Sequence, residues 1–429
     1  MAAATTIVNA KVFDGTTSRD WTSVRFAGGL ITECSAASLA REGDEVVDAA
    51  GGTLLPGLID AHVHLVPGAL AQSLTFGVTT VLDMFSKPDV VAGAREQAGS
   101  DPNVADVRSS GVGATAPDGH PSIMYAPIPT LTAADQAERF VAARIAEGSD
   151  YLKIISGVGG LWPSLDSGTI EALVTAAHAR GLLVVAHVSS TAGLEEVVSA
   201  GVDVVAHVPV DAELDLALVE RMAEAGIAVG PTLATVENTL GGAGGAAVAG
   251  DPRLAEALGE AWTRRLTSGA PGLPGRRMPP YSRAEDNVRR LAGAGVALLA
   301  GTDAPNPGTV FGASLHRELE LLVRSGLSPA RALAAATSEP ARVFGLPDRG
   351  RVAPGRRADL LLVSGDPLAD ITATRDVERI WRAGTACDRG AFVASPAEAE
   401  QLDAFDAQVA KAVAAVRERR TAFGPTRSG

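Results

Sequence analysis

Leu54-Leu55-Pro56-Gly57-Leu58-Ile59-Asp60-Ala61-His62-Val63-His64-Leu65 reads as a turn followed by a short apolar strand that ends in two histidines. Residues i and i+2 of a strand face the same side. His62 and His64 therefore point together from the end of a buried strand, where two imidazoles can grip one metal ion. The chain has 7 histidines in 429 residues, so two within three positions is more than composition.

Seven further apolar segments follow the same plan: 79–85, 106–114, 151–156, 182–188, 202–208, 227–233 and 296–303. Most are followed by alanine-rich stretches. Residues 169–180 and 215–225 carry helical periodicity. Strand alternating with helix predicts a parallel sheet. Eight such units over roughly 250 residues predict an α/β fold, a (β/α)8 TIM barrel, over an open doubly wound sheet. The ends differ. Segments 5–13, 24–34, 359–363 and 377–381 are short strands with glycine turns, and they predict a small β-sandwich domain formed from both chain ends. The expected division is 1–56 plus 350–395 for that domain, 57–349 for the catalytic barrel, and 396–429 for a charged helical tail with no assigned chemistry.

Two stretches interrupt the units. Residues 115–130, with Pro117, Gly119, His120, Pro121, Pro127 and Pro129, read as a loop. Residues 234–295 open glycine-rich and carry Pro271, Pro274, Pro279 and Pro280. A connection that long reads as a lid or binding element, or as helical decoration.

Composition narrows the function. A net charge of −13 argues against a nucleic-acid or anionic-membrane surface, and 4% aromatics argues against a base-stacking platform. No run approaches a membrane span, and residues 1–15 lack the features of a signal peptide. Cys34 and Cys387 lie far apart with no metal-type spacing, so a reducing cytoplasm is expected. Glycine-rich segments lack a phosphate-loop pattern. Self-association into a homo-oligomer is left open.

Polar residues collect at the ends of the apolar strands: His62 and His64, Lys153, His187, His207 and Asp303. The pentapeptides ending Ala186-His187-Val188 and Ala206-His207-Val208 are identical. A lone strand histidine is ordinarily a core residue, but six such groups at the catalytic end of a barrel predict a metal site. Histidine and aspartate suit zinc, with manganese, cobalt or iron behind it. A buried lysine is costly. It becomes a ligand only if its charge is removed, as by reaction with carbon dioxide to a carbamate that can bridge two cations. His120, in a Gly-His-Pro loop, is expected to touch substrate or stabilise an oxyanion. Tyr125 and Tyr281 are candidates for a substrate carboxylate, His316 for a substrate or capping role, and Asp60 for orienting an imidazole or capping the strand. His178 reads as structural.

Pro56-Gly57-Leu58-Ile59-Asp60-Ala61-His62-Val63-His64 and Gly301-Thr302-Asp303 resemble signatures of the amidohydrolase superfamily. Tyr151-Leu152-Lys153-Ile154, the paired Ala-His-Val strands and residues 312–319 are similar to its imidazolonepropionase-like and Xaa-Pro dipeptidase-like branch. The resemblance implies that His62, His64 and Asp303 hold one divalent metal, and His187 and His207 a second, with N-carboxylated Lys153 between them. It implies hydrolysis of an amide, dipeptide or lactam-like small molecule by metal-activated hydroxide, with Asp303 as general acid and base. The segment 83–87, Asp83-Met84-Phe85-Ser86-Lys87, departs from the small-residue turn of that branch. A mononuclear deaminase of a ring amidine is the alternative. It wants a glutamate near the fifth strand's histidine, and Glu195 and Glu196 fall on a helix too far along. A barrel scaffold without catalysis is the third reading.

Overall fold

The computed structural model describes residues 4–156, 162–267, 278–390 and 393–423. Pro271 and Pro274 of the insertion, and parts of the segments assigned to both chain ends, lie outside the described residues. The chain is a mixed α/β protein.

Parallel strands carry the central part. We number them β1 (Leu58–Val63), β2 (Val78–Asp83), β3 (Asp106–Ser109), β4 (Leu152–Ile155), β5 (Val184–His187), β6 (Val204–Ala206) and β7 (Ala228–Gly230). β1, β2 and β3 form one sheet, and β4 to β7 a second. A parallel bridge from Ala114 to Ile154 lies between them. Residues 296–304 bridge to both β7, through Leu298 and Val229, and β1, through Ala304 and Val63. That segment was expected to be a regular strand. It is held instead by single bridges, because Ala300 spends its N–H on the Ala335 carbonyl and Asp303 adopts φ 55°.

Both faces of the strands are buried, as expected for a parallel sheet. Alternate residues divide between two apolar clusters. Val184, Ala186, Val205 and Val229 pack outward with helix residues such as Leu173, Leu194 and Leu319. Val185, Val204, Ala206 and Ala228 pack with Ile59, Ala61 and Leu82. Lys153 is in register with Val185, so it belongs to the second face.

Helices follow most strands: α1 (Ala69–Thr75), α2 (Pro88–Ser100), α3 (Ser122–Tyr125), α4 (Ala137–Ala146), α5 (Ser167–His178), α6 (Thr191–Ala200) and α7 (Leu216–Glu224). α5 and α6 begin on Asp166 and Ser190, whose side chains accept N–H groups of the first turn. α3 is a single helical turn inside the segment expected to be loop. The long insertion is helical, with α8 (Leu233–Thr239), α9 (Gly244–Ala249), α10 (Pro252–Thr267) and α11 (Ser282–Gly293). Then come α12 (Ala313–Arg324), α13 (Pro329–Ala335), α14 (Ser338–Val343) and the terminal α15 (Pro396–Phe423).

The chain ends build two further sheets. One has four strands from residues 5–48, and the other six strands from residues 11–56 and 360–386. The expected strand 5–13 is split. Thr5–Val8 joins the first sheet and Lys11–Phe13 the second, with Asn9 turning between them at φ 56°. A separate apolar cluster holds side chains of both sheets, Ile7, Phe26, Leu54, Leu360 and Trp381 among them.

Candidate metal centre

β1 delivers His62 and His64 to the edge of a buried surface. His62 is almost fully buried, and His64 stands just beyond the strand. The segment 296–304 comes unusually close to them at Gly301. A Cβ there would lie 2.8 Å from His62 Cβ and 3.0 Å from its backbone nitrogen. Glycine thus allows the approach that brings Asp303 across. Its Oδ1 lies 3.3 Å from His62 Nε2 and 3.0 Å from His64 Nε2.

β5 and β6 bring His187 and His207 to the same place. Their ring centroids are 4.5 Å apart, and those of His62 and His207 are 4.9 Å apart. His120 stacks on His187 at 5.4 Å and 27°. One ligand atom each of His62, His207 and Asp303 falls within a mutual 4.8 Å. This tightest group cuts across the two ligand sets implied by the resemblance. Asp303 (φ 55°) and His207 (φ 73°) are both left-handed, a backbone strain of about 1–3 kcal/mol each. It is held in place by hydrogen bonds from Asp303 N to His62 O and from His207 N to Gly230 O, each 2.8 Å.

His207 Nδ1 lies 2.7 Å from Thr232 Oγ1, and that hydroxyl is 2.9 Å from the Pro231 carbonyl. A carbonyl only accepts, so the hydroxyl gives its hydrogen to Pro231 and Nδ1–H of His207 donates to Thr232. His207 Nε2 keeps its lone pair for a cation. Burial holds the imidazoles of His62 and His187 well below their usual range, and those of His120 and His207 down at about 4. They are neutral at pH 7, as ligation requires.

Lys153 is buried beneath this group, and its Nζ has no hydrogen-bond partner among the described residues. Burial pushes its ammonium down to about 7, against the pull of the Asp303 and Asp83 carboxylates. Asp83 is a residue the sequence reading missed as a site component. Fully buried at the end of β2, it accepts hydrogen bonds from Leu65 N at 3.1 Å, Ser86 Oγ at 2.8 Å and Ser109 Oγ at 2.5 Å. The departure at 83–87 was the available signal. Thr232 gave none, because its contact depends on a left-handed turn after β7.

Asp60 orients no imidazole ring. Its carboxylate accepts from Thr302 N, Thr302 Oγ1 and His62 N, clamping β1 to the segment before Asp303. Tyr125 stands beside the site, its ring 4.6 Å from that of Phe85, and its hydroxyl is pushed up by burial and by Asp83 and Asp303. The Tyr281 hydroxyl is pushed up by burial and by Glu318, Glu237 and Glu285, and it has no hydrogen-bond partner among the described residues. His316 is not brought to the centre. Fully buried, it bonds Thr374 Oγ1 and the Phe76 carbonyl, each at 3.0 Å, and pins α12 to its neighbours. His178 pairs with Asp203 on the outside.

A family model described as the amidohydrolase family matches residues 53–387. An uncharacterised protein of Mycobacterium tuberculosis is 29% identical over 345 residues, 76% of this chain and 82% of that protein. An imidazolonepropionase of Salinispora arenicola is 26% identical over 360 residues, 75% of this chain and 80% of the enzyme. A crystal structure of a Xaa-Pro dipeptidase with bound methionine in its active site superposes with a TM-score of 0.71, at 22% identity, over 90% of this chain and 100% of that one. At that identity the likeness concerns the fold.

Proposed function

The chain belongs to the amidohydrolase family and is a hydrolase acting on carbon–nitrogen bonds, and on that premise we propose that it opens an amide or cyclic amide at a centre of two divalent cations. In this reading the parallel strands and residues 296–304 form a (β/α)8 barrel over 57–349, supported by the bridges that return from β7 to β1. The two terminal sheets form a β-sandwich over 1–56 and 350–395, supported by their common apolar cluster. Residues 396–429 are assigned to a C-terminal helical tail, supported by α15.

The observation that carries the proposal is Lys153, whose buried amine has no hydrogen-bond partner among the described residues and interacts electrostatically with His62, His187, His207 and Asp303. Burying an ammonium unpaired is costly, and its lowered pKa leaves much of it as the free amine at neutral pH. Addition of that amine to carbon dioxide forms an N–C bond, releases one proton and leaves an anionic carbamate. The donor set then fits two cations: His62, His64 and Asp303 on one side, His187 and His207 on the other, with Lys153 between. Zinc suits these donors.

When bound, the cations would supply a water of lowered pKa and polarise the scissile carbonyl. The chain's own groups do the rest. Asp303 takes the proton of the attacking water on its carboxylate and returns it to the leaving nitrogen. Burial pushes the Asp303 carboxyl up, but the hydrogen bond from His64 helps hold it below the usual carboxylate value, so it starts ionised and able to accept. We assign His120 to the substrate oxygen, supported by its stacking on His187, and Tyr125 to contact with the substrate, supported by its packing on Phe85. We assign neither Tyr281 nor His316 to the substrate.

The test is elemental analysis of the purified protein together with a hydrolysis screen over N-acyl amino acids, Xaa-Pro dipeptides and lactams. Two tightly held ions per chain and loss of both ion content and turnover in Lys153→Ala are expected. At most one ion, with Lys153→Ala fully active, overturns the two-cation form.

The close His62–His207–Asp303 group favours a second reading, a single cation and deamination of a ring amidine. Against it, Glu195 pairs with Arg221, and Glu196 accepts hydrogen bonds from Ser156 and Ser167. Ammonia release over a purine, pyrimidine and guanidine panel separates the two. The family assignment argues against a scaffold without catalysis. Cys34 and Cys387 are both free thiols, which supports a reducing cytoplasm as the proposed location. Among the described residues no helix is long and apolar enough to cross a membrane.

A further inference from the structure

A cavity of about 440 Å³ lies between α1, α2, α3 and the terminal helix α15. Its inner end adjoins the metal centre through three residues. Leu65 follows His64 directly and gives its N–H to Asp83, Ser86 gives its hydroxyl hydrogen to Asp83, and Tyr125 packs on Phe85. Gly93 and Ala94 of α2 line one side and Phe405 of α15 the other.

The terminal helix is fixed where it can act as a wall. Ser395 and Glu398 exchange hydrogen bonds at its start, in the manner of a capping box. Leu402 is buried, Asp406 pairs with Arg265 of α10 at 2.7 Å, and the Arg265 guanidinium lies 5.9 Å from the centre of the Phe405 ring. Further along, α15 packs against α3. The helix therefore contacts both α10 of the insertion and α3 of the loop after β3, and shares the lining of one cavity with Leu65, the residue after His64.

We propose that this cavity receives an apolar arm of the substrate and that α15 sets which arms are accepted. The inference rests on the amide-hydrolase reading above. The volume suits a small-molecule pocket, where hydrocarbon walls bury most of a ligand and a few polar groups orient it. Its charged lining groups, Lys87, Asp89 and Glu398, carry a net negative charge, so an uncharged arm fits better than an anionic one. The substrate class is an amide bearing an aryl or medium-chain alkyl group. Tyr125 separates that arm from the reacting carbonyl.

Gly93 gives a clean test. A Cβ there meets nothing within 4 Å, and the residue lies inside α2 and lines the cavity, so Gly93→Leu adds bulk to that wall and favours the helix. Phe405→Ala enlarges the same space from the other side. Binding is measured by calorimetry, independently of turnover, for two matched pairs: N-octanoyl- against N-acetyl-L-alanine, and N-octylacetamide against N-methylacetamide. In at least one pair the long-armed member should bind about tenfold or more tightly than the short. Gly93→Leu should remove that advantage and leave short-arm binding unchanged without lowering Tm, while Phe405→Ala should tolerate still bulkier arms. No dependence on arm length in either pair, or a dependence that survives Gly93→Leu, overturns the proposal. Arm-dependent binding without hydrolysis would support the cavity and count against the amide-hydrolase reading. Hydrolysis indifferent to the arm would leave that reading standing and overturn this one.

Discussion

The carboxylate of Asp60 accepts two hydrogen bonds from Thr302, 3.0 Å from its backbone nitrogen and 2.7 Å from its hydroxyl, and so ties the strand that carries His62 to the segment that carries Asp303. Asp60→Ala leaves those donors and the His62 N–H buried without an acceptor. A loss of about 2–4 kcal/mol in stability is expected, with reduced metal content. Urea unfolding and elemental analysis check both. An unchanged metal content would show that the clamp does not govern the spacing of His62 and Asp303.

Thr232 orients His207 without touching a cation. Thr232→Ala should lower metal affinity about 10–100-fold while leaving the fold intact, and Thr232→Ser should restore it. Competition with a chelator of known affinity measures the difference. Equal affinity in all three proteins would remove Thr232 from the centre.

Asp83 joins Leu65, Ser86 and Ser109 beneath the site. Asp83→Ala should cost about 2–4 kcal/mol in stability, and Ser109→Ala less, because only one of the carboxylate's partners is then lost. Turnover should fall in Asp83→Ala even where the protein remains folded, since Leu65 moves with His64. Folded protein with full turnover would confine Asp83 to packing.

A pH dependence is expected far from the site, at Asp14. Burial raises its carboxyl, but hydrogen bonds from Thr16, Thr17 and Arg19 outweigh this and hold it down to about 2, from an ordinary value of 3.8. Its side chain is 1% exposed, so the shift converts to about 2 kcal/mol. A folded-state pKa below the unfolded one stabilises above the unfolded pKa, and the stabilisation fades as pH falls through the folded value. Asp14→Asn should therefore be weaker than the parent protein at pH 7 and converge with it between pH 4 and about 2. Urea unfolding across that range checks the sign, and a constant difference would refute it.

Strand–helix alternation and a candidate metal-binding group were legible in the chain because each is a local pattern. Apolar runs ending in histidine, and a lysine inside Leu152–Ile155, need no knowledge of neighbours to look costly or purposeful. The strand ends were less legible. Residues 202–208 and 227–233 looked like continuous strands, but β6 and β7 stop at Ala206 and Gly230, where His207 and Thr232 turn left-handed. Apolar periodicity is blind to such turns. His316 read as a candidate for a substrate or capping role, and its ring bonds Thr374 and the Phe76 carbonyl, partners remote in sequence.

His62, His64, Lys153, His187, His207 and Asp303 were thus marked by the sequence itself, since polar groups in apolar strands are costly unless they have work to do. Only the tertiary structure decided that His62, His207 and Asp303 lie closest together, that Asp60 clamps a backbone rather than a ring, and that α15 walls a cavity beside His64. Those are relations between segments up to 340 residues apart, and no local periodicity encodes which of them meet.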